Sequence, residues 1–213
     1  MFIETIRYDQ GKFHLLDLHQ RRMEATVMEA YGPSATGNIP DLHEILHPMH
    51  HDTGNNSAFK YRIIYDTRIR SIGYTPYTPR DIRSLMTVKA PATLDYHLKR
   101  TDRTALDNLR LQRGDCDEIL IIKDTLITDT SYSNIIFTGT DGIYTPRSPL
   151  LAGVMRQHLL DTGTLIEHDL TISDIRPGNP LGITSAYMIN AMLPPGAASP
   201  IPVGQIINSN ATW

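Results

Sequence analysis

The residues best able to do chemistry together lie between positions 96 and 156. Lys99 follows Leu98 at an expected strand-to-helix junction, and Arg100, Thr101, Asp102 and Arg103 come directly after it. Asp129 closes the run Leu126-Ile127-Thr128. Gly153 stands just before Val154 and Met155, which open a stretch of helical periodicity. A lysine amine can bond an aldehyde when partial burial or neighbouring cations such as Arg100 and Arg103 lower its pKa. A carboxylate at a strand end can stay ionised against a protonated ring nitrogen. The free N–H groups of a helix start, helped by the helix dipole, can seat a phosphate.

Each piece has a plainer explanation when taken alone. Most lysines are solvated surface cations, aspartates often end strands in turns, and a glycine before a helix is common. Lysine is scarce here, however: Lys12, Lys60, Lys89, Lys99 and Lys123 are the only ones. Amine, acid and phosphate seat follow one another within a single span, and pyridoxal phosphate is a cofactor that needs all three.

The bulk properties bound the reading. The chain has 213 residues, 40% of them hydrophobic, and a formal net charge of -3. That length suits one compact unit or two small lobes. No basic stripe points to nucleic acid, and no long apolar run points to a membrane span or a secretory leader. Cys116 is the single cysteine, which excludes an intrachain disulfide and suits a reducing, cytoplasmic compartment.

Around these residues the pattern predicts an α+β fold rather than a regular βαβ repeat. Alternation predicts strands over 2–7 and 59–65; 13–18 is expected to return as a strand after the Gln10-Gly11 turn, 68–74 to be the hairpin partner of 59–65, and 85–88 to be a further strand, with helices over 20–30 and 41–46, the latter capped by Asp41. Pro91 marks the expected boundary between a small N-terminal lobe, 1–91, and a larger cofactor-binding lobe, 92–213. The second lobe is expected to open with a helix over 99–112. Strands follow over 118–122, 125–128, 134–138 and 142–144, then a helix over 154–160 and strands over 165–170 and 187–192.

The order and spacing resemble the fold-type IV pyridoxal-phosphate enzymes, the class IV aminotransferase family, over nearly the whole chain. Ile3-Glu4-Thr5 is similar to the family's F-E-T strand, and His19-Gln20-Arg21-Arg22 to its H-x-x-R. Leu98-Lys99 is similar to its lysine motif, and Asp117-Glu118-Ile119 to its D-E-A strand. Thr128-Asp129 through Asn134 and Phe137 resembles T-E-x-x-x-x-N-x-F. Thr145-Pro146 through Arg156 resembles T-P…L-x-G-x-x-R. The resemblance implies that Lys99 is both the catalytic residue and the covalent anchor of pyridoxal 5'-phosphate. It makes Asp129 the partner of the ring nitrogen and Arg22, Val154 and Met155 the phosphate ligands. It also implies a homodimer and a small-molecule amino substrate. Asp129 stands where the family has glutamate, one methylene longer, and the family has a longer segment before its F-E-T strand, so a shortened N-terminal lobe is expected.

Within the family, Asn190-Ala191-Met192-Leu193-Pro194 and Gly153-Val154-Met155-Arg156-Gln157 look like the corresponding stretches of aminodeoxychorismate lyases. The expected activity is elimination of pyruvate from 4-amino-4-deoxychorismate, leaving 4-aminobenzoate for folate synthesis. The alternative is an amino-acid aminotransferase of the branched-chain or D-amino-acid type. Arg80 and Arg83 are candidates for the substrate carboxylate. A remote alternative is a zinc protease, because His43-Glu44-Ile45-Leu46-His47 fits H-E-x-x-H. Pro48 breaks the helix which that motif needs. His50 stands where the extended motif departs, no glutamate follows before Glu118, and no metal site is expected.

Overall fold

The computed structural model describes residues 1–49 and 58–208, and its contacts divide the chain into two compact units. The first holds 1–79 and 98–102, the second 80–97 and 103–213. The division therefore falls before Arg80 rather than at Pro91, and a short piece of later sequence returns to the first unit.

In the first unit, β1 (Phe2–Asp9), β2 (Lys12–Phe13), β3 (Phe59–Tyr65) and β4 (Ile69–Pro76) form one sheet in the order β2-β1-β3-β4. Helix α1 (Leu16–Tyr31) and the short α2 (Leu42–Leu46) accompany it. Successive strand residues point to opposite faces. One row of β1, Phe2, Glu4, Ile6 and Tyr8, is therefore buried together, and its three apolar members share a core with Met23, Val27, Tyr61, Ile63 and Tyr65. Asp41 caps α2 by accepting the His43 N–H at 2.7 Å.

Two expectations fail here. The predicted strand over 13–18 shrinks to Lys12–Phe13, because Leu15 takes a left-handed turn (φ 57°) and α1 begins at Leu16. The predicted helix over 99–112 is confined to α3 (Thr104–Arg110), in the second unit. Lys99 is instead extended: the Ile3 N–H donates to the Lys99 carbonyl at 3.0 Å, the Thr101 N–H to the Met1 carbonyl at 3.1 Å, and Phe2 pairs with Arg100. Residues 98–101 thus cover the part of the β1 edge that β2 is too short to reach. The backbone hydrogen bonds of β1 outweigh the local helical preference of this segment.

The second unit holds two sheets. One runs β13 (Ile206–Asn208), β5 (Leu85–Lys89), β6 (Glu118–Lys123), β7 (Leu126–Thr130) in space. The other runs β10 (Ile166–His168), β9 (Ile143–Pro146), β8 (Asn134–Thr138), β11 (Ser185–Ile189), β12 (Ile201–Pro202). Helix α4 (Val154–Asp161) lies between β9 and β10 in sequence. A core built on Leu120, Ile127, Ile135, Phe137, Leu170 and Met188 joins residues of both sheets. The architecture is mixed α+β with several sheets, as the pattern predicted. No helix among the described residues is long and apolar enough to cross a membrane.

Candidate active site

In the first unit, an acid sits where the β1 alternation calls for an apolar residue. Glu4 is fully buried and faces α1. Its Oε1 accepts from Arg22 Nε at 3.0 Å, and its Oε2 from Arg22 Nη2 and His19 Nδ1, both at 2.5 Å. His19 and Arg22 are three apart on α1, so they present to the same side of the helix. Burial alone would lift the Glu4 carboxyl. The Arg22 charge and the His19 bond outweigh it and hold Glu4 well below the usual carboxylate range. Burial pushes His19 the other way, toward the neutral ring, against the pull of Glu4 and helped by the charges of Arg22 and Lys99. A neutral His19 donates from Nδ1 to Glu4, which leaves its buried Nε2 as an acceptor with no partner among the described residues. Lys99 belongs to this unit and is half-buried. Extended backbone pairing with β1, rather than a helix start, sets its position.

In the second unit, Asp129 lies on β7 and is 4% exposed. Asn134 Nδ2 donates to its Oδ1 at 2.7 Å, and the Leu151 N–H donates to its Oδ2 at 3.0 Å. Every such donor is a neutral amide. Among the leading influences on Asp129 the one charged group is Arg156, which forms its ion pair with Glu167 instead. Burial therefore prevails and pushes the Asp129 carboxyl up to about 6. A carboxylate has about four lone-pair positions, so room remains for a cationic N–H donor.

Two residues beyond Leu151, Gly153 introduces α4 with extended backbone and no side-chain cap. The N–H groups of Val154 and Met155, both buried residues, donate to no protein acceptor among the described residues. Unsatisfied N–H groups at the positive end of an eight-residue helix suit an anion. The acid and the helix start thus share one neighbourhood, with a cation-seeking group linked through Leu151 to an anion-seeking one. These features fit the ring nitrogen and the phosphate of pyridoxal phosphate.

Other expected residues fall elsewhere. Arg80 lies over the Tyr132 ring at 5.5 Å, and Arg83 is exposed and pairs with Asp81 at 2.7 Å. A cleft of about 330 Å³ in the second unit is lined by Tyr96, Lys123, Thr128 and Leu150, among others. It is lined by Thr128 and not Asp129, since strand alternation sends the acid to the opposite face. The H-E-x-x-H stretch occupies a five-residue helix and the single turn after it, and His43 bonds Asp17 at 2.8 Å. His50 lies outside the described residues. Among the described residues no group of three or more His, Cys, Asp or Glu could hold a metal ion. Sequence reasoning assigned no role to Glu4, His19 or Asn134, although all three stood in the quoted motifs. An acid in the core-facing row of β1 was the available signal for the first.

The chain is similar to several known proteins. A protein from Haemophilus influenzae (strain ATCC 51907 / DSM 11121 / KW20 / Rd), itself uncharacterized, is 35% identical over 191 residues, which is 89% of this chain and 96% of that protein. A candidate 4-amino-4-deoxychorismate lyase from Haemophilus somnus 129PT superposes with a TM-score of 0.78 at 30% identity, covering 90% of this chain and 95% of its own. A candidate amino-acid aminotransferase from Mesorhizobium loti shares the fold, with a TM-score of 0.66 at 21% identity, covering 98% and 99%. The Amino-transferase class IV family matches residues 1–195. With that match spanning both units, the chain belongs to the class IV aminotransferase family and is an enzyme of that family.

Proposed function

We propose that this enzyme uses pyridoxal 5'-phosphate to eliminate pyruvate from 4-amino-4-deoxychorismate, leaving 4-aminobenzoate, an aromatic acid of folate synthesis. The observation that carries the cofactor assignment is Asp129, a buried carboxylate with only neutral donors, joined through Leu151 to an uncapped helix start. The choice of lyase is supported by the 30% identical Haemophilus somnus protein and by the loop 190–194. In that loop, Asn190 Oδ1 accepts the N–H groups of Met192 and Leu193 at 2.8 and 3.1 Å, and its Nδ2 donates to Ser133 Oγ at 2.6 Å.

When bound, pyridoxal phosphate supplies an electron sink for the pair released as a bond at the substrate breaks. The chain's own residues have separate tasks in this reading. Lys99 would hold the cofactor at its aldehyde carbon through Nζ and would carry protons there. Asp129 holds a proton on the ring nitrogen through its carboxylate. Val154 and Met155 offer backbone N–H groups, and Arg22 a guanidinium, to the phosphate. Glu4 grips Arg22 by Nε and Nη2 and so fixes its orientation. A homodimer in a cytoplasmic setting belongs to the same reading, and the single cysteine suits it.

The test is pyruvate release from 4-amino-4-deoxychorismate with no added 2-oxo acid, read through lactate dehydrogenase. A panel of amino donors with 2-oxoglutarate is run beside it. Pyruvate without an acceptor supports the lyase. No pyruvate, together with glutamate from any donor, would make the protein an aminotransferase.

A further inference from the structure

We infer that Asn134 is a positioning residue that locks the acid Asp129 and the start of α4 into one rigid unit. The inference rests on the cofactor reading above and deepens it. Asn134 opens β8, five residues after Asp129, across a turn closed by the Thr130 N–H and hydroxyl on the Ser133 carbonyl, both at 2.9 Å. Its side chain faces two acceptors: Asp129 Oδ1 at 2.7 Å and the Leu151 carbonyl at 2.9 Å. Only the NH2 end of the amide can donate to both, so the amide's orientation is fixed. The Leu151 N–H returns to Asp129 Oδ2 at 3.0 Å and closes a ring of three groups.

The oxygen end of the amide is equally constrained. A Cβ on Gly153 would stand 2.0 Å from Asn134 Oδ1, closer than any real contact. Glycine is therefore required at 153 because the amide occupies the side-chain position, while the backbone there is ordinary extended chain (φ -74°). One buried amide thus bonds the acid, bonds the loop carbonyl that leads into α4, and presses on the residue that caps α4. It fixes which lone pairs of Asp129 stay open and sets them at a constant distance from the Val154 and Met155 N–H groups. The donated bond also favours the ionised carboxylate against burial. Arg156 of α4 is a charged group whose field reaches Asp129, and its own hydrogen bonds run to the Pro146 carbonyl and Glu167 Oε1 rather than to Asn134.

The test uses Asn134→Leu, which keeps the branched shape and the number of heavy atoms and removes both donors, and Gly153→Ala, which keeps Asn134 and drives its amide away. The titration of the Asp129 carboxyl carbon is followed by NMR in the unloaded protein. Added pyridoxal phosphate is then titrated by its visible absorption. In both variants the Asp129 midpoint should move up by about one pH unit, and pyridoxal phosphate should bind about tenfold or more weakly, the loss expected for a bond to a charged group. An unchanged midpoint in the variants would overturn the inference, and so would a moved midpoint with unchanged binding. If the wild-type protein takes up no pyridoxal phosphate, the cofactor reading fails and the positioning role falls with it. Wild-type uptake matched by both variants sinks the positioning role alone.

Discussion

Two carboxylates in this molecule are almost equally buried and have opposite fates. Glu4, in the first unit, has a cation supplied by the fold: Arg22 and His19 meet its oxygens at 2.5 to 3.0 Å and hold it ionised far into acid. Asp129, in the second unit, receives only neutral amides, and burial lifts it to about 6. Both acids would cost several kcal/mol to bury bare. The first is satisfied by its own chain, whereas the second retains the cost and the lone pairs to meet a cation from outside. A buried acid whose compensation is left incomplete is the one to read as part of a binding site.

The strongest way to break the comparison is to remove the completed pair. Glu4→Gln leaves Arg22 and His19 without their anion and should destabilise the protein by about 3–5 kcal/mol, measured by urea unfolding at neutral pH. A loss below about 1 kcal/mol, the usual size for a surface pair, would mean that Glu4 is not the anchor described. The incomplete acid should behave otherwise. Asp129→Asn should keep the fold and, at saturating pyridoxal phosphate, still carry the cofactor through Lys99, bound at least as weakly as in the Asn134 and Gly153 variants, and should lose activity on the order of a hundredfold or more, because an amide cannot hold the ring proton. Wild-type turnover in that variant would remove Asp129 from the reaction.

The pH dependence sharpens the contrast, since the two acids are shifted in opposite senses. Asp129 is raised, so the folded chain holds its proton more tightly than the unfolded chain. Its contribution to stability is present below the unfolded value of 3.8 and is lost as pH rises through about 6. Compared with Asp129→Asn, the unloaded wild type should lose on the order of 2–3 kcal/mol across that window. Glu4 is depressed, so its contribution is present above the unfolded value of 4.5 and is lost only in stronger acid. A parallel pH profile for wild type and Asp129→Asn would show that burial does not raise Asp129. The smallest expected effect is none at all. With an organic cation as the partner of Asp129, a chelator should leave turnover unchanged, and the purified protein should carry no stoichiometric zinc. One tightly held zinc per chain would reopen the H-E-x-x-H stretch.

Much of this was legible in the sequence, and the failures share a cause. Strand alternation located β1 and β3, and the Asp41 cap located α2, because those signals are local. The helix expected at Lys99 failed because residues 98–101 answer to the open edge of β1, nearly one hundred positions away. No local propensity encodes that pairing. The pattern at Glu4 was visible as an acid in an apolar row, but its meaning needed His19 and Arg22 on the facing helix. Asn134 was visible only as a motif letter. Its amide gains a role through Leu151 and Gly153, which sequence places 17 and 19 positions on.

The central claim is that this chain carries pyridoxal phosphate on Lys99. Borohydride reduction of the loaded protein, followed by peptide mapping, tests it directly, since reduction makes the bond to the lysine permanent. With Lys99 as the anchor, the visible absorption band should be lost and a single labelled peptide, the one containing Lys99, should appear. A label on Lys89 or Lys123, or no label on a protein that otherwise turns over substrate, would contradict it.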